Sequence, residues 1–270
     1  MAFDGFLPAL SAVINALFLI AGIYIYVSLV RQINARVVET PAIPLRQFGW
    51  PEAFLATLLA IWFVLNIAAA SAHQITSMRN RDLVENAIFS VGVLLFVAAF
   101  LRVRGLDLDS LGGFSKMGFW RTAMTGVVLM LAAYPLIFLA DVVTHRFLDG
   151  ASEKQAIVEL FNASNSLEQR ILIILLAVTV APIAEEFLFR FFIYGVVKRY
   201  FGRTAALIVS AFLFAAVHTH LPSFGPLFVL GTCFAIAYEW SGSILVPMTM
   251  HAFFNSLTLT ALAFPELIEQ

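Results

Sequence analysis

Eight apolar stretches restrict what this chain can fold into more than any other feature of its sequence. A membrane helix requires about 20 mostly apolar residues, and each stretch reaches or approaches that length. The composition agrees, because 61% of the residues are hydrophobic, only 12% are charged and the mean hydropathy is +0.92. A soluble domain has about a quarter of its residues charged. We therefore predict an all-α polytopic membrane helix bundle with about eight transmembrane helices. They are expected at roughly 7–30, 53–72, 86–101, 122–143, 171–197, 204–219, 224–240 and 243–264.

The whole chain, residues 1–270, is predicted to form a single integral membrane domain. A net charge of −1 without a concentrated basic patch argues against a nucleic-acid partner. Cys233 is the only cysteine, which excludes a disulfide within the chain and a thiolate metal cluster. The expected surroundings are a lipid bilayer. The compact chain, with no long soluble extension, favours a prokaryotic plasma membrane.

Lys and Arg residues are distributed unequally between the two sides of the predicted bundle. The connections after the first, third, fifth and seventh segments carry 10 of them, and the opposite side carries 5. Basic residues are enriched in the cytoplasmic loops of membrane proteins. The sequence therefore favours both termini outside the cytoplasm.

The fifth segment contains three ionisable residues where a membrane helix should have none, Glu185, Glu186 and Arg190. Such residues inside a membrane segment are costly and indicate function by default. Glu186 and Arg190 are four residues apart and share a helix face, so we predict a support pair. Glu185 lies about 100° around the helix and is predicted to be the working acid–base group. The alternative is a buried salt-bridge cluster that only holds helices in register.

Two later segments each carry a polar stripe. Phe214 and His218 are four residues apart at the end of the sixth segment, and His220 is expected to point away from that face. In the eighth segment His251 and Asn255 have the same spacing. Each stripe has a simpler explanation, an interfacial histidine in the first case and an interhelical hydrogen bond in the second.

Polar stripes in a bilayer must face a bundle interior or a water-filled cavity, so we expect all three to face the same cavity. A carboxylate and a histidine can activate a water molecule, directly or through a metal. A second histidine and an amide can stabilise a developing oxyanion. This combination suits the hydrolysis of an acyl bond, most plausibly a peptide bond. Asp141 and Glu239, near segment ends, are interpreted as interfacial.

These motifs resemble the CPBP family of CAAX proteases and bacteriocin-processing enzymes, also called the Abi family. The family signature is Glu-Glu-x-x-x-Arg, then Phe-x-x-x-His, then His-x-x-x-Asn, on separate late membrane helices. The matching residues here are Glu185-Glu186…Arg190, Phe214…His218 and His251…Asn255. The resemblance covers 182–255 and places the catalytic-motif helices at about 171–264.

The resemblance implies an intramembrane endopeptidase that acts on membrane-anchored peptides or proteins, including prenylated CAAX substrates. Glu185 and His218 would activate the water, and His251 and Asn255 would form the oxyanion site. Peptide hydrolysis is implied more firmly than CAAX cleavage.

The sequence does not decide whether the predicted site binds a metal ion. Glu185, His218 and His251 could supply three ligands to one divalent ion, with zinc as the default because of the imidazoles. A metal-free glutamate mechanism uses the same residues.

Two other functions compete with the peptidase. One is an ion- or proton-coupled transporter that uses these residues as a relay, although no duplicated half is visible. The other is a non-catalytic immunity or scaffold protein.

Overall fold

The structure is a computed structural model that describes residues 6–36, 47–72, 80–147, 160–161, 164 and 166–264. These ranges contain helices and connections but no strand, which confirms the prediction of an all-α membrane bundle. The helices are α1 (Phe6–Arg36), α2 (Trp50–Ala72), α3 (Asn80–Val103), α4 (Leu108–Gly112), α5 (Phe119–Phe147), α6 (Leu167–Ala216), α7 (Leu221–Ser241) and α8 (Leu245–Ala263).

Six of these helices are long and apolar enough to cross a membrane, counted over the described ranges. They are α1, α2, α3, α5, α6 and α7. Helix α8, which carries the polar residues His251 and Asn255, is not among the six. Helix α3 was expected at 86–101, but it has 24 residues because charged residues near its start also adopt the helix.

Helix α6 contains two of the predicted segments and must reverse direction within its length. Its 50 residues would extend about 75 Å as one straight helix, more than twice the hydrocarbon thickness. Gly202 interrupts the helix with φ 81° and ψ 174°. The two arms then pack against each other, since Ser210 Oγ donates to the carbonyl of Phe189 at 2.9 Å. We call residues 167–201 the first arm and residues 203–216 the second arm.

Helices α5 and α7 form the centre of the bundle. Helix α5 packs against α1, α7 and α8, and α7 also packs against the second arm of α6. Tyr26 on α1 donates a hydrogen bond to the carbonyl of Leu129 on α5 at 2.9 Å. A Cβ at Gly126 would lie 2.7 Å from the Cβ of Thr249, so the missing side chain allows α5 and α8 to approach closely.

The outer helices expose large apolar side chains, as a lipid-facing surface requires. Leu17 on α1, Leu65 on α2 and Phe96 on α3 are each exposed over more than half of their surface. Such an apolar surface is unfavourable in water but favourable in contact with the hydrocarbon core of a bilayer.

Gly202→Ala is expected to lower the free energy of unfolding by about 1–3 kcal/mol, because this backbone conformation is essentially restricted to glycine. Thermal unfolding in detergent measures the effect. The control is Gly92→Ala in α3, where no atom lies within 4 Å of the new Cβ, and its Tm is expected to stay unchanged or rise. An unchanged Tm for Gly202→Ala would contradict the assignment of the reversal to this residue.

Candidate active site

The first arm of α6 is not a regular α-helix where it carries the two glutamates. π-helical turns cover Leu176–Val180 and Phe187–Ile193, on either side of the short α-helical segment Ala181–Glu186. Each π turn accommodates one extra residue and rotates the side chains that follow. Such turns are frequent at functional sites, and here they surround the predicted acid–base group.

Glu186 and Arg190 form an ion pair inside the bundle. Arg190 Nη1 donates to Glu186 Oε1 at 2.9 Å, and neither side chain is exposed. The four-residue spacing led us to expect this contact. The two opposite charges offset each other, which reduces the energetic penalty of removing both from water.

Aromatic rings surround the Arg190 guanidinium. Its Cζ lies 4.2 Å from the ring centre of Phe214 and 5.1 Å from that of Phe234. Its Nη2 donates to the carbonyl of Gly231 at 3.4 Å. A Cβ at Gly231 would lie 3.1 Å from Nη2, so this position suits glycine. Cation–π contacts strengthen when the cation is desolvated, as it is here.

Glu185 differs from its neighbour because it is partly exposed and makes no close ion pair. Its side chain is 28% exposed and lines a cavity. Its Oε2 is buried and has no hydrogen-bond partner among the described residues. The nearest cationic candidate is His251 Nε2, at 3.9 Å, which is too long for a hydrogen bond. Glu185 is therefore the carboxyl of the pair that a bound molecule can reach.

His251 connects the two glutamates. Its Nδ1 lies 3.0 Å from Glu186 Oε1, and its ring packs against Phe214 and Phe234 at centroid distances of 5.6 and 5.2 Å. Because a carboxylate only accepts hydrogen bonds, Nδ1 carries a hydrogen and donates a hydrogen bond to Glu186. The remaining nitrogen, Nε2, is the one on the side of Glu185.

His218 is held by its own helix. Its Nδ1 lies 2.7 Å from the carbonyl oxygen of Phe214, and its ring packs edge-on against the Phe214 ring at 4.9 Å. A carbonyl oxygen can only accept, so Nδ1 donates, and in the neutral ring Nε2 then keeps its lone pair. The contact thus fixes the tautomer in which Nε2 can accept a proton.

Asn255 joins α8 to the first π turn of α6. Its Nδ2 donates to the carbonyl of Ala177 at 2.7 Å. That carbonyl lacks a helical partner, because the N–H of Ala181 bonds to the oxygen of Leu176 and Pro182 has no N–H. The second hydrogen on Nδ2 is not used by this bond, so the predicted oxyanion role stays a prediction.

The four predicted catalytic residues line one cavity of about 530 Å³. Its polar lining comprises Asn86, Ser90, Asp141, His145, Glu185, His218, His220, Ser223, His251, Asn255 and Thr258. Helices α3 and α5, which carry none of the predicted site residues, therefore contribute to the site. Glu186 and Arg190 lie behind the cavity wall and are not part of its lining.

The predicted direction of His220 was wrong. The helix ends at Ala216 and Thr219 has a positive φ of 50°, so helical angles no longer apply beyond that point. His220 faces the same cavity as His218, and its Nδ1 lies 2.7 Å from Ser223 Oγ.

Glu239, which was interpreted as interfacial, lies near the end of α7 but faces the inside of the protein. Its side chain is buried, accepts a hydrogen bond from Tyr194 at 2.6 Å and pairs with Lys198 at 2.6 Å. Asp141, by contrast, is half exposed and lies 3.5 Å from His145 Nε2 at the rim of the cavity. The contacts of Glu239 depend on how α7 packs against α6 and cannot be inferred from local spacing, whereas Asp141 and His145 are four residues apart on α5.

The described residues do not fit a metal site. Within these ranges no group of three or more His, Cys, Asp and Glu side chains converges closely enough to hold an ion. Glu185 Oε2 and His251 Nε2 are 3.9 Å apart, and the other nitrogen of His251 is occupied by Glu186. The predicted ligand set of Glu185, His218 and His251 is thus not supported by this geometry.

Arg190→Met is expected to lower the free energy of unfolding by about 3–5 kcal/mol, because it leaves a buried Glu186 without its counter-charge. Thermal unfolding in detergent measures this loss. The matched control is Arg81→Met, since Arg81 and Glu85 have the same spacing but are 81% and 58% exposed. The control should change stability by about 0–1 kcal/mol. Equal losses of stability for the two substitutions would contradict the claim that burial makes the Glu186–Arg190 pair more important than an exposed pair.

Comparison with known families identifies the region that contains this site. Residues 167–257 match the family model described as Type II CAAX prenyl endopeptidase Rce1-like, which covers about a third of the chain. No curated protein and no solved structure matches the chain. The matched region begins with α6 and includes every predicted site residue. The chain is therefore a multi-pass membrane protein whose residues 167–257 are similar to the family of type II CAAX prenyl endopeptidases.

Proposed function

We propose that the chain hydrolyses peptide bonds of membrane-associated substrates, prenylated CAAX-type peptides among them, with a water molecule activated by Glu185 and His218. The observation that carries this proposal is the Glu185 carboxyl, whose Oε2 has no hydrogen-bond partner among the described residues and which lies in one cavity with His218, His251 and Asn255. Placement in a prokaryotic plasma membrane stays a prediction.

Glu185 and His218 both act on the attacking water in the proposed reaction. The Glu185 carboxylate accepts a proton from water as the water attacks the peptide carbonyl carbon. The proton then passes to the leaving amine nitrogen as the C–N bond breaks. In this reaction the neutral His218 ring has its hydrogen on Nδ1, which the Phe214 carbonyl accepts, so Nε2 accepts a hydrogen bond from the same water.

His251 and Asn255 are proposed to stabilise the negative oxygen that develops on the attacked carbonyl. The Asn255 amide is held by the Ala177 carbonyl and has one N–H left to donate. His251 is held by Glu186 and could donate through Nε2 when protonated. Donors fixed in advance need no reorganisation during the reaction, which makes them effective in catalysis.

The Glu186–Arg190 pair is proposed to support the site without contacting the substrate. Its charges offset each other, and Glu186 orients the His251 ring through the 3.0 Å contact. The unpaired negative charge near the cavity is then on Glu185, where the reaction requires it.

Glu185→Gln is expected to reduce kcat for cleavage by about 10²- to 10⁴-fold, because an amide cannot accept the proton from water. The assay uses purified, detergent-solubilised protein and a panel of membrane-anchored and prenylated peptides. Glu168→Gln is the control, because Glu168 is an exposed carboxyl in the first turn of α6. Unaltered cleavage by Glu185→Gln, with native Tm, would exclude Glu185 as the base.

Chelation is expected to leave cleavage unchanged, because we propose the metal-free form of the reaction. The measurement is kcat/KM before and after treatment with a strong zinc chelator, followed by re-addition of zinc. Loss of activity that zinc restores would contradict this part of the proposal and leave the rest of it intact.

A further inference from the structure

We propose that helix α3 forms a peptide-binding face of the active-site cavity, in which the Asn86 carboxamide and the Ser90 hydroxyl hydrogen-bond to the backbone of the bound substrate. Both residues lie outside the three sequence motifs and outside residues 167–257, which match the family model. The inference rests on the proposed function and deepens it, because it assigns substrate-binding groups that the motifs do not contain.

One face of α3 lines the cavity. The residues of this face are Leu83, Asn86, Ala87 and Ser90. Their separations of three, four and seven residues are those of a single helix face. Ile88 lies about 200° around the helix from Asn86, and its side chain is 67% exposed on the outer side of the bundle. The rotation of α3 therefore directs Asn86 and Ser90 to the cavity and apolar side chains to the lipid.

Helix α3 packs directly against the part of α6 that carries Glu185. It contacts residues 176–186 of the first arm, which include the first π turn and both glutamates. On its other side, the ring of Phe89 stacks against that of Trp62 on α2, with 4.9 Å between the ring centres. Because α3 and Glu185 line the same cavity, a peptide bound at Glu185 can also contact the cavity face of α3.

Asn86 and Ser90 make no side-chain hydrogen bond to any described residue, unlike several polar residues elsewhere in the spanning helices. Asn66 on α2, Thr144 on α5 and Thr232 on α7 each donate to the carbonyl four residues earlier in their own helix. Polar groups within a bilayer need a partner. The amide of Asn86 and the hydroxyl of Ser90 are therefore available to a molecule that enters the cavity.

The groups on this face match a peptide backbone better than a charged ligand. Among the described residues the cavity lining contains no Lys or Arg, and its acidic residues are Asp141 and Glu185. An Asn carboxamide has one acceptor oxygen and two N–H donors, and a Ser hydroxyl both donates and accepts. A peptide group offers the complementary N–H and C=O, and hydrogen bonds to the main chain are a common means of holding extended peptides. The inferred occupant is an extended, uncharged stretch of the substrate backbone.

Asn86→Leu is expected to raise KM for membrane-anchored and prenylated peptides about 3- to 10-fold and to leave kcat within about twofold. The reason is that the lost contact holds the bound substrate and the transition state equally. Ser90→Ala should act in the same direction. The matched control is Asn66→Leu, since Asn66 is also exposed on a spanning helix but bonds to its own helix and lies outside the cavity lining. Its KM and kcat should equal those of the native protein.

Backbone esters in the peptide test whether the contact is made to the main chain. Each ester replaces one N–H by oxygen, at successive positions on both sides of the bond that is cut. At the position that Asn86 binds, the ester is expected to raise KM for the native protein about 3- to 10-fold and to add no further increase in Asn86→Leu. Full additivity of the ester and the substitution at every position would contradict a contact between Asn86 and the backbone.

Binding of a fluorescent prenylated peptide to the Glu185→Gln protein separates this inference from the proposed function. Adding Asn86→Leu to that protein is expected to raise Kd by the same 3- to 10-fold, and adding Asn66→Leu is expected to leave Kd unchanged. Equal Kd values for the two double variants, or a loss in Asn86→Leu confined to kcat or Tm, would overturn the inference. Weakened binding in a protein that cleaves no peptide would count against the proposed function alone. No binding at all would contradict both.

Discussion

Arg190 brings a full positive charge into a part of the bundle where none of its side chain is exposed. An uncompensated charge at the centre of a bilayer costs about 2.5–3.5 kcal/mol on insertion scales. Glu186 offsets that charge at 2.9 Å, and the rings of Phe214 and Phe234 face the guanidinium. Glu186 is engaged by Arg190 and His251, whereas Glu185 lines the cavity and its Oε2 has no hydrogen-bond partner among the described residues. The availability of the Glu185 carboxyl for the reaction therefore depends on the Glu186–Arg190 ion pair.

The same pair fixes the positions of the other functional groups. Phe214 lies between Arg190, His218 and His251, and it contacts all three through its ring. Any movement of Arg190 would therefore disturb both histidines. The short second arm of α6 ends at this cluster, so the structure that neutralises the buried charge also forms the floor of the cavity.

The sequence predicted contacts within one helix better than contacts between helices. Eight apolar stretches are visible as composition, and the pairing of Glu186 with Arg190 follows from regular helix geometry. The contact between Asn255 and Ala177 does not, because it depends on a π turn and a proline that together leave one carbonyl without a partner. His220 was misplaced for a related reason, since helical periodicity predicts nothing beyond the residue where a helix ends.

The most direct measurement of the central claim is cleavage of a membrane-anchored peptide in water enriched in oxygen-18 under single-turnover conditions. Mass spectrometry of both fragments and of the protein then locates the heavy oxygen. If the Glu185 carboxylate activates water for direct attack, the new carboxyl terminus contains one heavy oxygen and the protein contains none. Heavy oxygen in the Glu185 side chain, or a new terminus without it, would show that water does not attack the peptide directly and would contradict the account.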